Sequence, residues 1–260
     1  MTILDKIIEK KLVEVKQTKE AIPPTKLEGR PLFTRSCLSF RDSILDTNRN
    51  GIIAEFKRAS PSKGVINDRA QVAEVVRGYQ DAGVSAVSIL TDGPFFKGSL
   101  EDLVAARDLL HIPLLRKEFI IDEYQLLEAK AFGADIILLI AAVLTPDQIK
   151  KLSESAKALG LNVLLEVHNR QELDRSIMDS VDAIGVNNRN LNDFTVSLEH
   201  SLELVDLIPD SFIKVSESGI SDPKTINQLR SAGFDGFLVG ENFMKTESPT
   251  EAIEAFVAKI

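Results

Sequence analysis

The sequence predicts an α/β chain folded as a (β/α)8 TIM barrel behind an N-terminal helical extension, and three observations carry that expectation. From residue 51 onward, short apolar runs alternate with amphipathic stretches of helical spacing. The apolar runs number eight, the count at which parallel strands, each followed by a helix, close on themselves. No G-x-G-x-x-G turn follows the first run, as an open doubly wound sheet built for a dinucleotide would show. The 260 residues then form one domain, with 1–50 as the extension and 51–260 as the barrel. A single unit of this kind commonly uses about 250 residues.

In chain order the runs are Ile52–Phe56, Ala86–Leu90, Pro113–Leu115, Ile136–Ile140, Asn162–Val167, Ala183–Val186, Phe212–Val215 and Gly236–Val239. Continuous apolar runs suit parallel strands, because neither face of such a sheet meets water. Between them, Val72, Val75, Val76 and Tyr79 share a helical face, and Leu100, Leu103, Val104 and Leu110 share another. Tyr124, Leu127 and Ala131 mark a third, and Ile149, Leu152, Ala156 and Leu159 a fourth. Thr145-Pro146 and Ser221-Asp222-Pro223 carry helix-start signals, and Gly83, Gly133, Gly160 and Gly233 carry stops. Residues 1–50 do not fit the repeat. Leu4, Ile7, Ile8, Leu12 and Val15 form a helical stripe, Ile22-Pro23-Pro24 interrupts it, and Leu38, Phe40 and Leu45 suit a second short helix. Two placements stay open for this segment: a cap on one barrel end, or a lid over the active mouth.

Apolar residues make up 44% of the chain and charged residues 27%, enough to bury a substantial core. The formal net charge of −8 is spread along the chain, which argues against nucleic acid or an anionic membrane as the main partner. An anionic small molecule would need a local positive site. The single cysteine, Cys37, permits no intrachain disulfide and suits a reducing cytoplasm. Neither a secretion signal nor a run of roughly 18 apolar residues is present, so a soluble cytoplasmic protein is expected. The oligomeric state stays open between monomer and homodimer.

In a barrel of this kind the active site is built from the C-terminal strand ends and the loops after them. Strand one runs into Glu55-Phe56-Lys57-Arg58, strand three into Arg116-Lys117-Glu118-Phe119, strand five into Glu166-Val167-His168, strand six into Asn187-Asn188-Arg189, and strand seven into Ser216-Glu217-Ser218-Gly219. Side chains alternate across a strand, so Ile53, Glu55 and Lys57 share a face. The pairs Leu115 and Lys117, Leu164 and Glu166, and Val215 and Glu217 repeat that apolar-then-charged layout. If all point inward, two lysines and three glutamates converge from four strands on one cavity. Buried charges cost several kcal/mol unless paired, so the cluster is either an ion-pair network that stabilises the barrel or an acid–base site.

Ser218-Gly219-Ile220 follows strand seven and Val239-Gly240-Glu241 follows strand eight, the two loops that commonly grip phosphate in this fold. Glycines there let backbone N–H groups approach an anion, and a short helix after them adds its positive end. The alternative is that Gly219 and Gly240 are ordinary turn residues. A phosphate would require the Glu241 carboxylate to turn away, leaving only its N–H as a donor. The three histidines (His111, His168, His200) show no metal-ligand spacing, so neither a metal nor another cofactor is expected. His168 follows strand five; it is taken as out of phase with Glu166, in the loop or behind the site. Cys37 has no visible base partner, and no G-x-S-x-G elbow occurs.

Together these motifs resemble the indole-3-glycerol phosphate synthase family. The matching stretches are Ala54-Glu55-Phe56-Lys57-Arg58-Ala59-Ser60-Pro61-Ser62-Lys63-Gly64, Leu90-Thr91-Asp92 with Phe95-Phe96-Lys97-Gly98-Ser99, and Leu115-Arg116-Lys117-Glu118-Phe119-Ile120. Leu165-Glu166-Val167-His168, Asn187-Asn188-Arg189-Asn190-Leu191, Val215-Ser216-Glu217-Ser218-Gly219-Ile220 and Leu238-Val239-Gly240 complete the set, in order across the barrel. The resemblance implies a small phosphorylated substrate, 1-(2-carboxyphenylamino)-1-deoxyribulose 5-phosphate, converted without a cofactor to indole-3-glycerol phosphate, carbon dioxide and water.

It also implies roles. Lys117 becomes the general acid of ring closure and Glu166 the general base. Lys57 holds the substrate carboxylate or phosphate and serves as an acid in dehydration, although the division of labour between the two lysines stays open. Glu55 and Glu217 set protonation and orient sugar hydroxyls, with Asn187 helping. Phe96 and Phe119, with Arg58, line the anthranilate ring, and Arg189 is a second charged support. Ser60, Ser218, Gly219, Gly240 and Glu241 bind the phosphate end, the last through its backbone. Glu241 departs from the small hydroxyl residue that many phosphate grips of this fold offer there.

Three rivals are separable by residue. Phosphoribosylanthranilate isomerase, a sister barrel, relies on a Cys at strand one and an Asp at strand six, where this chain has Glu55-x-Lys57 and Asn187. A Schiff-base aldolase needs a neutral lysine, whereas glutamate neighbours keep Lys57 and Lys117 protonated. A phosphosugar-binding regulator would keep the phosphate loops but has no use for an acid–base cluster.

Overall fold

The computed structural model describes residues 2–190 and 193–260. Eight parallel strands close into a barrel: β1 Ile52–Phe56, β2 Ala86–Leu90, β3 Leu114–Lys117, β4 Ile136–Ile140, β5 Asn162–Val167, β6 Ala183–Asn187, β7 Ile213–Glu217 and β8 Gly236–Val239. Each pairs with its sequence neighbours, and β1 joins β8 through the register Ile53 opposite Leu238, which closes the ring. Three strands extend beyond the apolar runs, to Lys117, Asn187 and Glu217. Apolarity marks burial, but the ladder continues wherever backbone groups still pair, so polar ends stay in register.

The return helices are Val72–Asp81, Leu100–Arg107, Glu123–Ala131, Pro146–Ala158, Arg170–Ser176, Glu199–Leu204, Pro223–Ser231 and Pro249–Val257. Thr145 caps Pro146–Ala158 with a capping box, and Asp222 caps Pro223–Ser231, as the start signals predict. The four stop glycines all lie at positive φ. Val75, Val76 and Tyr79 are buried in the layer between the helices and the barrel, which also holds Ala54, Val87, Ile89, Leu139 and Leu165 from the outer strand faces. The opposite strand faces form a second core inside the barrel, from Ile53, Leu115, Leu138, Leu164, Val215 and Leu238. That phase matches the alternation read from the sequence and points Glu55, Lys117, Glu166 and Glu217 inward above it.

The N-terminal segment uses both placements considered for it. Helix α1 (Ile3–Ala21) lies at the mouth: Lys11 is ion-paired with Asp92 and Glu118 beyond the ends of β2 and β3, each at 3.0 Å. The chain then descends along Glu123–Ala131, where Tyr124 Oη donates to the Ile22 carbonyl at 2.8 Å, through a short helix α2 (Pro24–Glu28). Near the start of β4, Arg35 pairs with buried Asp135 at 2.7 Å. Helix α3 (Phe40–Leu45) then closes the base, burying Phe40 and Ile44 in the inner core with Ile53, Leu115 and Ile213. No helix among the described residues is long and apolar enough to cross a membrane.

Candidate active site

A cavity of about 630 Å³ opens at the C-terminal ends of the strands. Glu55, Lys57, Lys117, Glu166, Asn187 and Glu217 all line it, so the strand-phase argument brings six side chains from five strands to one place. Lys117 Nζ lies 2.5 Å from Glu217 Oε2 and 3.3 Å from Glu166 Oε2. Lys57 Nζ lies 2.7 Å from Glu55 Oε1. Asn187 accepts from the Arg189 N–H at 3.0 Å through Oδ1, which leaves its amide nitrogen to hydrogen-bond the Glu166 carboxylate.

Burial opposes a charged Lys117, but Glu217, Glu166 and Glu55 outweigh it and hold the ammonium well above its usual range. Two buried carboxyls therefore share one ammonium. Burial works against ionising Glu166 too, yet Lys117 and then His168 pull it below the usual carboxylate range. Among the described residues Glu217 meets no second cation, and burial pushes it up to about 7 despite Lys117. Its Oε1 is buried with no hydrogen-bond partner. Room for that oxygen comes from Gly185 on β6, where an added Cβ would lie 2.1 Å away.

The phase read for His168 needs correction, while its place behind the site holds, since it contacts Glu166 and does not line the cavity. Two residues along a strand direction is in phase, and His168 Nε2 lies 3.4 Å from Glu166 Oε1. Its Nδ1 lies 3.2 Å from Glu172 Oε2 on the following helix. Burial lowers its proton affinity, but Glu172 and Glu166 more than compensate and raise it.

Phe96 and Phe119 face each other across one side of the cavity, ring centroids 6.0 Å apart and tilted by 39°. Arg58 is not with them. It stands in the outward phase of β1, its guanidinium paired with Asp102 at 2.9 Å and over the Phe56 ring, outside the cavity lining. At the far side lie Ser60, Ser218, Gly219, Gly240 and Glu241. Ser218 and Gly219 both take left-handed backbone, φ 69° and 78°, and a Cβ on Gly219 would meet Val196 Cγ1 at 2.5 Å. Gly240 precedes the short helix Glu241–Met244. The Glu241 carboxylate is drawn sideways between Arg189 and Lys63, at 3.6 and 3.8 Å.

Other lining residues went unread in the sequence. Ile3, Leu4 and Ile7 bring one end of α1 over the cavity, and Phe194 and Val196 reach it from the loop after β6. The apolar stripe of α1 carried a signal for the former. Nothing local marked the latter. Leu191, quoted in the motif after β6, lies outside the described residues. Among the described residues no group of three or more His, Cys, Asp or Glu side chains is arranged to hold a metal ion.

A family model for indole-3-glycerol phosphate synthase matches residues 4–256. An indole-3-glycerol phosphate synthase of Bacteroides thetaiotaomicron is 48% identical over 99% of this chain and 98% of its own length. One from Salinibacter ruber is 42% identical over 100% of this chain and 96% of its own. Among solved structures, a mutant tryptophan synthase alpha-subunit from Pyrococcus furiosus superposes with a TM-score of 0.61 at 14% identity, covering 82% of this chain and 98% of that one. At that identity the likeness concerns the barrel alone.

Proposed function

The chain belongs to the indole-3-glycerol phosphate synthase family, and from that premise we propose which of its side chains carry the reaction. The protein is a carboxy-lyase of tryptophan biosynthesis acting on a small phosphorylated substrate. It closes the indole ring of 1-(2-carboxyphenylamino)-1-deoxyribulose 5-phosphate with loss of carbon dioxide and water.

The aryl carbon that bears the carboxylate attacks the ketone carbon, and the ketone oxygen must take a proton. Lys117 is the acid: its ammonium is held charged inside the cavity between Glu166 and Glu217. Departure of carbon dioxide returns its bonding electrons to the ring and restores aromaticity. Dehydration then removes hydroxide as water and a proton from the adjoining ring carbon. Glu166, whose ionised form Lys117 and then His168 favour, takes that proton. Lys57, steadied by Glu55, faces the substrate carboxylate and serves as acid for the departing hydroxide. Glu217 and Asn187 orient sugar hydroxyls.

Phe96 and Phe119, packed against each other, form the aromatic wall that lines the anthranilate ring. The phosphate lies against Ser60, Ser218, Gly219 and Gly240 and the Glu241 N–H, with Arg189 beside it. The sideways turn of the Glu241 carboxylate toward Arg189 and Lys63 removes the repulsion that its charge would otherwise impose. Arg58 acts from outside, bracing the loop through Asp102. The cytoplasm is the compartment proposed, on the single cysteine and the overall composition.

The observation that carries this reading is the Lys117 ammonium clamped between two carboxyls on the wall of a cavity with an aromatic side and a glycine-loop side. Incubation with the synthetic carboxyphenylamino substrate is expected to produce indole fluorescence. Folded protein that yields no product would overturn it.

A further inference from the structure

Two carboxyls, Glu166 and Glu217, meet the same ammonium, and the reaction as assigned needs them to behave differently, with Glu166 alone as base. Lys117 does not distinguish them in favour of Glu166, since it lies closer to Glu217, 2.5 Å against 3.3 Å. The asymmetry comes from the other side of Glu166. Its Oε2 faces Lys117, while its Oε1 faces His168 Nε2 at 3.4 Å. Glu217 has nothing equivalent: its Oε1 looks across the small side of Gly185 and finds no partner.

His168 is itself held. The Glu172 carboxylate accepts from the His168 backbone N–H at 2.8 Å and lies 3.2 Å from Nδ1, so ring and backbone are gripped by one group. Glu172 is fixed in turn by Asn169 Nδ2 at 2.9 Å. The groups around the imidazole are thus Glu166 from β5, Glu172 from the helix Arg170–Ser176, and, at longer range, Glu217 from β7. Of the two arginines on that helix, Arg175 donates to the Ala141 carbonyl at 2.7 Å and Arg170 pairs with Asp174 at 3.2 Å. Among the described residues the charged groups that act on the ring are the three carboxyls of Glu166, Glu172 and Glu217, an environment that favours imidazolium.

We propose that His168, gripped by Glu172, is a positioning residue that acts through Glu166, breaking the symmetry of the two carboxyls on Lys117 and holding Glu166 as the ionised base. This rests on the assignment of Glu166 as the base. A lysine between two equivalent carboxyls would leave which one accepts the substrate proton to chance. A second cation on one of them settles it before substrate arrives.

The test is the pH dependence of kcat/KM for His168→Asn and Glu172→Gln, with Glu166→Gln as the reference. Loss of an opposite charge at this range raises a carboxyl by about one unit or more, so the acid limb of His168→Asn is expected to move up by about one pH unit. On the acid limb itself that is about a tenfold loss of activity. Glu172→Gln removes the grip and favours the neutral ring, so its acid limb is expected to move up in the same direction as that of His168→Asn, and by less, because the ring can still take a proton as pH falls. In ¹⁵N-histidine-labelled wild type at pH 7, the His168 ring is expected to give an imidazolium signature, assigned by its disappearance in either His168→Asn or His168→Gln.

A neutral imidazole at pH 7, or an acid limb for His168→Asn superimposable on wild type, overturns the proposal. Failure of the Asn variant to fold leaves the charge of the wild-type ring as the deciding measurement, assigned through the Gln variant or by comparison with singly substituted His111 and His200. If Glu166→Gln retains wild-type turnover, the base assignment has failed. If it is inactive while the His168→Asn profile is unmoved, the His168 role alone has failed.

Discussion

Two buried lysines in this molecule each gather acidic partners, and they do opposite things. Lys11, on α1, lies 3.0 Å from each of Glu14, Asp92 and Glu118, and its side chain is 2% exposed. Lys117, at the end of β3, lies against Glu217 and Glu166 and is 15% exposed. Burial disfavours charge at both, and at both the carboxylates overcome it and raise the lysine. What separates them is the space beside them. Lys117 lines the cavity, where a substrate oxygen can approach it and where Glu217 Oε1 still lacks a partner. Lys11 lies behind the wall. Asp92 there caps the short helix Gly93–Phe96 that carries Phe96, and Glu118 accepts from the Phe119 N–H at 2.9 Å, so the knot ties α1 to both aromatic walls. A buried lysine can serve as an acid only where it borders the void itself, as Lys117 does and Lys11 does not, although its partner Glu118 lines the cavity. Otherwise it is a tie.

Exchanging the two lysines' losses is the sharpest way to break the comparison. Lys117→Ala is expected to lower kcat by about 10²- to 10⁴-fold, the range ascribed to a positioned acid, while binding of a phosphate-bearing substrate analogue survives. Steady-state turnover beside analogue titration would show it, and unchanged turnover would remove Lys117 from the mechanism. Lys11→Met should do the reverse. Removing one partner from a buried cluster leaves uncompensated carboxylates and typically costs about 3–5 kcal/mol of stability. Urea unfolding would read that loss, with most of the turnover per folded molecule retained. A Lys11→Met protein as stable as wild type would mean that α1 is held by its apolar stripe alone.

The smallest effect concerns pH and reads the open cluster directly. Burial raises the Glu217 carboxyl from 4.5 to about 7. Between those values the unfolded chain has released this proton and the folded chain keeps it. The stability contributed by this group is therefore fully present below about pH 4.5 and is lost as pH rises through 7. Glu166 and Glu172, both lowered, act in the opposite sense, contributing above the ordinary carboxylate range and losing it as pH falls. Glu217→Gln is expected to flatten the decline between pH 5 and 7, measured as urea midpoints across that window. An unaltered slope would place the retained proton elsewhere in the cluster.

Much of this arrangement was readable along the chain because strand geometry has a period of two. Ile53, Glu55 and Lys57 must share a face, and so must Leu164 and Glu166; the inner core and the cavity confirm that phase. The same rule applied to two further residues corrects the reading of them. His168 is in phase with Glu166 and touches it, and Arg58 is out of phase with Lys57 and turns to Asp102. Lys11 was legible in principle, since Ile7, Lys11 and Val15 are spaced by four and all three are buried. A lysine in an apolar stripe announces partners, although it does not name them.

The amino-acid order by itself determined the eightfold repeat, the helix starts at Thr145 and Asp222, the inward charged rows and the glycine loops after β7 and β8. These depend on neighbours within a few residues, where backbone periodicity and capping chemistry act. Only the tertiary structure decided that the first fifty residues serve both ends, with α1 at the mouth and Phe40 plugging the base. Only it placed Phe194 and Val196 on the cavity wall and gave Glu166, not Glu217, a second cation. Those outcomes depend on contacts between segments far apart in the chain, and electrostatic preference inside a cavity is set by every charge that borders it.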